Sequence, residues 1–281
     1  MPVNDIINSL NIISENLFKS VEGQVYEVLD KIVLISPEIL KQDPLKYIFF
    51  ENKVNGIMII ANSLIIFHFV YYIFLQLLSM YNGFKTENVY LFTIKIICIS
   101  LLVNNSYFIC DQLLSLGSIL SDTVTEFAKS IAKEDITFEN LKEIILSIDK
   151  FMKSDLLSLD GLIKGIISFG SISILINFSI RYVTVIFLLI ISPICLVCFS
   201  SNLTIGIAKT WLKMLITSIL TQTIVKLIIF IPIVYKDTSD IMYKIILVGS
   251  IYTLYKINDF INQIFIKISN DDIKNNLFNG G

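Results

Sequence analysis

The sequence predicts an all-α, polytopic membrane protein, and three observations point there. Hydrophobic residues fill 54% of the 281 positions and charged residues only 16%, with a mean hydropathy of +0.74. That composition is far from that of a water-soluble domain. The charges are also segregated, with most acids and lysines in residues 1–53 and 121–160. Between them run apolar tracts as long as the roughly 20 residues a helix needs to cross hydrocarbon.

Taken in order, residues 4–35 carry Ile6, Leu10, Ile13, Leu17, Val21, Val25, Val28 and Ile32 at steps of three or four, separated by polar residues. This is the pattern of an amphipathic helix, suited either to the lipid surface or to packing on its own protein. Pro37 and Pro44 end it, and Tyr47, Phe49 and Phe50 lead towards the first span. Residues 55–80 and 89–109 read as spans one and two, the second in spite of Lys95 and Asn104–Asn105. Residues 121–160 are too polar to span and are expected to form a helical extramembrane loop. Residues 162–199 contain no turn signal before Pro193, so they form one long helix bent or ended there. Residues 200–206 reverse the chain, Trp211 to Tyr235 is the fourth span, and Ile241 to about Ile261 is a weaker fifth.

The resulting plan has five regions. Residues 1–53 are an extramembrane amphipathic region, 54–120 hold spans one and two, 121–160 form the loop, 161–262 hold spans three to five, and 263–281 are a tail. The first residues lack the basic-then-apolar pattern of a cleaved signal peptide, so the first span is expected to act as the insertion signal. Lysines in short loops set orientation. With the N-terminus outside, the inner ends carry Lys85, Lys209, Lys213, Lys256, Lys267 and Lys274, against Lys236 and Lys244 in the short outer loop. The expected arrangement in the plasma membrane is therefore N-terminus outside and C-terminus cytoplasmic.

A net charge of −2 with lysines interleaved among carboxylates gives no basic face for nucleic acid. Abundant Ile, Asn and Lys beside scarce Arg, Ala, Gly and Pro suggest the coding of a low-GC bacterium. Cys195 and Cys198 form a CxxC without a second pair or a nearby histidine, and read as small apolar residues of a helix. No nucleophile elbow, zinc-protease or phosphate-loop motif is present, and one histidine cannot build histidine-rich metal chemistry. The expectation is a protein without catalytic activity, cofactor or metal.

Polar residues inside spans are costly to insert and usually face a protein interior or a watery cavity. Ser173, Asn177, Arg181 and Thr184 follow one another at helical steps, with Gly170 above them, and Arg181 is the only arginine among 22 basic residues. Ser218, Gln222 and Lys226 form a second line above Trp211 and Leu215, and His68, Tyr72, Gln76 and Ser79 a third. A guanidinium stays charged at any depth and offers five donors. Arg181 is thus expected either to serve the interior, with Asp111 as a candidate acid, or to snorkel to lipid phosphate. His68 reads as a hydrogen-bonded interior imidazole. GLIKG, residues 161–165, fits the small-xxx-small pattern of close helix approach.

The run from Arg181 to Phe230 resembles the core of TrbL-type proteins, polytopic inner-membrane components of type IV secretion and conjugation machines. In that family an apolar span ends in a proline followed by small residues and a short polar loop. A tryptophan then opens the next span, which carries Thr, Ser and Gln. Pro193, Ser200–Gly206, Trp211 and Thr217–Gln222 stand at those positions; the long C-terminal extension of some members has no counterpart in the sequence. The resemblance implies a channel or scaffold subunit that assists DNA or protein translocation. The implied partners are assembly and coupling ATPases, other secretion subunits, the bilayer, transient relaxase-bound single-stranded DNA and further copies of the chain. A secondary transporter and a sporulation-type export channel are the alternatives. The candidate structural and translocation residues are Arg181, Asn177, Ser173, Pro193, Trp211, Gln222, Lys226 and His68.

Overall fold

Long stretches of Ile, Leu and Phe with few helix breakers leave the backbone one way to satisfy its polar groups in an apolar setting, which is to bond within its own segment. The computed structural model describes residue 12 and residues 25–49, 56–83, 88–149, 159–201, 203–235 and 241–278, and among these there is no strand. The helices are α1 (residues 25–33), α2 (Leu45–Phe49), α3 (Gly56–Asn82), α4 (Val89–Asn104), α5 (Ser106–Ala132), α6 (Phe138–Asp149), α7 (Leu159–Ile190), α8 (Ser192–Val197), α9 (Ile205–Val234) and α10 (Ile241–Phe278). Short 3₁₀ turns lie at Pro37–Lys41 and Cys198–Ser200. Of the helix expected over residues 4–35, the part before residue 25 lies, apart from residue 12, outside the described residues. So do Phe50, residues 150–158 of the expected loop, Asn202 of the expected reversal, and Lys85 and Lys236 of the orientation argument.

The all-α membrane class is what the structure shows. Three helices, α3, α7 from Gly161, and α9, are long and apolar enough to cross a bilayer. The expected second span differs: α4 and α5 meet at a 66° bend, so the pair is at most one broken crossing or a re-entrant hairpin. The cause is local. The side-chain amides of Asn104 and Asn105 donate to the carbonyls of Ser100 and Leu101, each at 2.8 Å, competing with the helix's own donors where it stops. The expected fifth span is helical, but among the described residues α10 does not reach the apolarity of a crossing; Lys244, Lys256 and Asp259 dilute it. Among the described residues three helices meet the length and apolarity of a crossing, or four with the bent pair, in place of the five expected. The expected loop also begins inside an element, because α5 continues unbroken through residue 121 to Ala132.

Helix ends follow identifiable chemistry. Gly83, at φ +71°, closes α3 by donating its N–H to the Ser79 carbonyl at 2.8 Å, a left-handed position suited to glycine. Asn88 caps α4 by accepting from the Tyr90 N–H at 2.9 Å. α7 ends at Ile190, and Pro193 falls in the first turn of α8, where its missing N–H costs no helical bond.

The chain divides into two compact units. Unit 1 comprises residues 1–35, 117–182 and 219–281, and its core gathers Leu29 and Val33 of α1, Phe138 and Leu141 of α6, Ile174 and Phe178 of α7, Val225 and Ile229 of α9, and Leu247 and Leu254 of α10. Unit 2 comprises residues 36–116 and 183–218, in which α3, α4 and α8 pack on one another. On α3 only Ala61, Ile65 and Tyr72 are buried, on one stripe, while Phe67, Val70, Phe74 and Leu77 stay exposed. An apolar surface of that extent calls for hydrocarbon as its solvent.

Candidate functional site

α1 presents Tyr26, Leu29 and Val33 to the interior of unit 1, at the three- and four-residue steps that put side chains on one helical face. Polar groups from five other positions of the unit then fix it and the residues just after it. The Tyr26 hydroxyl is 2.9 Å from Ser171 Oγ in α7, a buried contact. The Asp30 carboxylate accepts the backbone N–H groups of Phe138 at 2.9 Å and Glu139 at 3.3 Å, capping the start of α6 from a distant part of the chain. Burial holds the Asp30 carboxyl above its ordinary 3.8, with those two N–H groups opposing the rise.

The end of α1 is held by two of the residues singled out from the sequence. Arg181 Nη1 donates to the Val33 carbonyl at 3.2 Å, and the Ile35 N–H donates to Gln222 Oε1 at 3.0 Å, both buried. Val33 is the last helical residue of α1, so its carbonyl belongs to the group that a helix end leaves without an internal partner. The guanidinium also sits 5.8 Å from the Phe178 ring. Arg181 is 5% exposed and Gln222 1%. Arg181 therefore serves the interior, its contacts including a helix-end carbonyl and an aromatic ring. Gln222 stands near the middle of the 30-residue α9, so Ile35 is anchored at mid-helix depth on a candidate span. Residues 26–35 thus pack on Ser171, Arg181 and Gln222, positions within candidate spans.

Lys226, one turn beyond Gln222, turns to α5. Its Nζ donates to Thr125 Oγ1 at 2.7 Å and to the Ser121 carbonyl at 3.3 Å, and lies 3.7 Å from Asp122 Oδ1. Gly117 of the same helix makes this approach close, since a Cβ there would run into Ile219 Cγ2 and come within 3.0 Å of Gln222 Nε2.

Ser173 and Asn177 share a line with Arg181 but serve another place. They face α10, where the Asn177 amide donates to the Tyr255 carbonyl and its Oδ1 accepts from Asn258 Nδ2 at 3.2 Å. With Ile176, Ile180, Tyr255 and Asp259 they line an open cavity of about 360 Å³. Each four-residue step advances about 40° around a helix of 3.6 residues per turn, so a line three members long already wraps onto a second face.

The remaining candidates belong to unit 2. Trp211 is 3% exposed, and its indole N–H donates to the Leu188 carbonyl at 2.9 Å. Pro193 is buried in α8, and the Ser201 carbonyl accepts the Ile205 N–H at 2.9 Å where the chain turns into α9. His68 is neighboured by aromatic rings, 6.3 Å from Tyr71 and 6.5 Å from Phe92 between centroids, beside the closer Tyr72–Phe92 stack at 3.6 Å. Cys195 and Cys198 are free thiols.

The sequence reading missed Tyr26, Asp30, Asn258 and Gly117. Asp30 alone carried a signal, as an acid within an amphipathic helix close to its buried face. Comparison with protein-family models, with curated proteins and with solved structures gives no match.

Proposed function

We propose that this chain is a non-enzymatic scaffold or channel subunit of a conjugative type IV secretion complex in the plasma membrane, assisting passage of relaxase-bound DNA or of protein. The observation that carries the reading is the use made of Arg181 and Gln222. Two of the costliest groups to place in candidate spans hold the backbone of residues 33–35, and a hydrogen-bonded donor and acceptor of that kind fix a register more than they drive a reaction. The stretch from Arg181 to Phe230, with Pro193 and the buried Trp211 tying its hairpin, supports the placement among TrbL-type subunits. Energy for transport would come from the assembly and coupling ATPases of the complex, and the apolar surface of α3 suits the bilayer or further copies.

Deleting the coding sequence in its host and restoring it in trans tests this reading. The expected result is loss of conjugative transfer with recovery on complementation, and co-purification of the assembly ATPase with the tagged chain. Wild-type transfer in the deletion strain would overturn it. Impermeant thiol labelling of single cysteines on a Cys-free chain reads the orientation in the same strain, with a site at Glu139 expected to label in intact cells and one at Asn270 not.

A further inference from the structure

The contacts of α1 differ in kind from ordinary helix packing. Its apolar face is sunk into unit 1, with Leu29 and Val33 each 1% exposed. Its polar ties at Tyr26, Val33 and Ile35 all run to side chains of α7 and α9, namely Ser171, Arg181 and Gln222. Residues 25–35 therefore lie against two candidate spans, where Ser171, Arg181 and Gln222 stand among apolar core residues such as Ile174, Phe178 and Val225. Withdrawing them would take a partner from each of those three groups and open apolar wall beside them. A guanidinium and an amide that each lose a partner among apolar residues draw in water where water can reach them.

We infer that residues 25–35 act as a plug: docked, they keep the space between α7 and α9 dry, and undocked, they open a hydrated polar path for small hydrophilic solutes along Ser171, Arg181 and Gln222. The inference deepens the channel reading above and rests on it. The occupant of the closed state is this segment of the chain itself, and the ligand class of the open state is water with small ions. The design resembles a stopper held by backbone recognition, since Arg181 and Gln222 bind a carbonyl and an N–H and read no side chain.

The test uses the full chain, made Cys-free and reconstituted in liposomes loaded with a small fluorescent anion. Leu29→Glu puts a carboxylate at a fully buried apolar position and is expected to undock the segment. Dye release should then rise roughly tenfold, the population shift that corresponds to about 1.4 kcal/mol of lost docking. On that background Tyr26→Cys and Ser171→Cys, joined by a short reducible bis-methanethiosulfonate linker, should restore tight vesicles, and reductant should reverse the effect. A linker is needed because the Tyr26 ring separates the two backbones beyond the reach of a disulfide. Maleimide access to the cysteine at 171 reports undocking independently, and retained helicity with a monodisperse elution profile reports folding.

Vesicles that stay tight while position 171 becomes accessible would overturn the inference, as would a position 171 that stays protected in the folded Leu29→Glu chain. Should that chain fail to fold, the linked pair on the unsubstituted chain decides. Lower dye release than in the reduced form supports the plug, and equal release overturns it. Loss of the conjugation reading would appear only in transfer frequency, leaving the liposome result to stand by itself.

Discussion

In unit 1 the chain's only arginine donates to the last helical carbonyl of α1, and in unit 2 its only tryptophan donates to the Leu188 carbonyl in the last turn of α7. Both side chains are buried, and both complete a helix end that cannot complete itself. The surroundings differ. Arg181 belongs to a set that includes Gln222, Lys226, Ser171 and Tyr26, where each group depends on a particular partner. Trp211 is a large buried ring tied at 2.9 Å to a backbone carbonyl, and the aromatic stack of Tyr72 on Phe92 shows the same unit relying on shape. The contrast teaches that one hydrogen-bonding task can be placed in an interior specified by pairing or in one specified by volume, and substitutions should tell the two apart.

The largest effect is expected where volume decides. Trp211→Ala should lower stability in an SDS-titration unfolding assay by about 3–5 kcal/mol, the scale of buried aromatic truncation. Trp211→Phe keeps most of the ring, and losing the indole N–H alone should cost about 0.6 kcal/mol, the average for hydrogen bonds between membrane helices. Equal losses for the two variants would mean that pairing rules unit 2 as well, erasing the contrast.

Next comes close approach in unit 1. Gly117→Ala should cost about 1–3 kcal/mol by forcing Ile219 and Gln222 aside, whereas Gly165→Ala meets open space and should be neutral within about 0.5 kcal/mol. The same titration ranks them, and a neutral Gly117→Ala would show that α5 and α9 are not held at the distance described.

The smallest effect sharpens the role of the guanidinium. Arg181→Lys retains a donor for the Val33 carbonyl but loses the planar fork beside Phe178. Its cost should be about 1 kcal/mol, and pairing it with Gln222→Ala in a double-mutant cycle should give a non-additive term, since both act on residues 33–35. Strict additivity would separate Arg181 from Gln222 and dissolve the polar set into independent contacts.

The helices themselves were legible, because apolar tract length and the punctuation at Pro193 and residues 200–206 are local quantities. The bend at Asn104–Asn105 was visible as two amides in an apolar run, yet its consequence depends on side chains turning back one helical turn, which hydropathy does not register. Arg181, Gln222 and Lys226 stood out through the cost of placing them in a span. What they bind did not, since the partners lie 148, 187 and 105 positions away. Periodicity says which face a residue shares and nothing about which distant segment covers it. Ser173 and Asn177 illustrate the limit, as their line along α7 with Arg181 divides between α10 and α1.

The separation of Ile35 from Gln222 also sets a timetable for synthesis. At about 5–20 residues per second, the 187 positions between them take about 10–40 s to make. The Val33 carbonyl waits 148 positions for Arg181, and the Ile35 N–H waits the whole interval for Gln222. A newborn chain must therefore park α1 somewhere wet enough to satisfy a bare carbonyl and return it to the bundle late, after α7 and α9 have been inserted. Any factor that shelters nascent membrane proteins would meet this chain with α1 still loose.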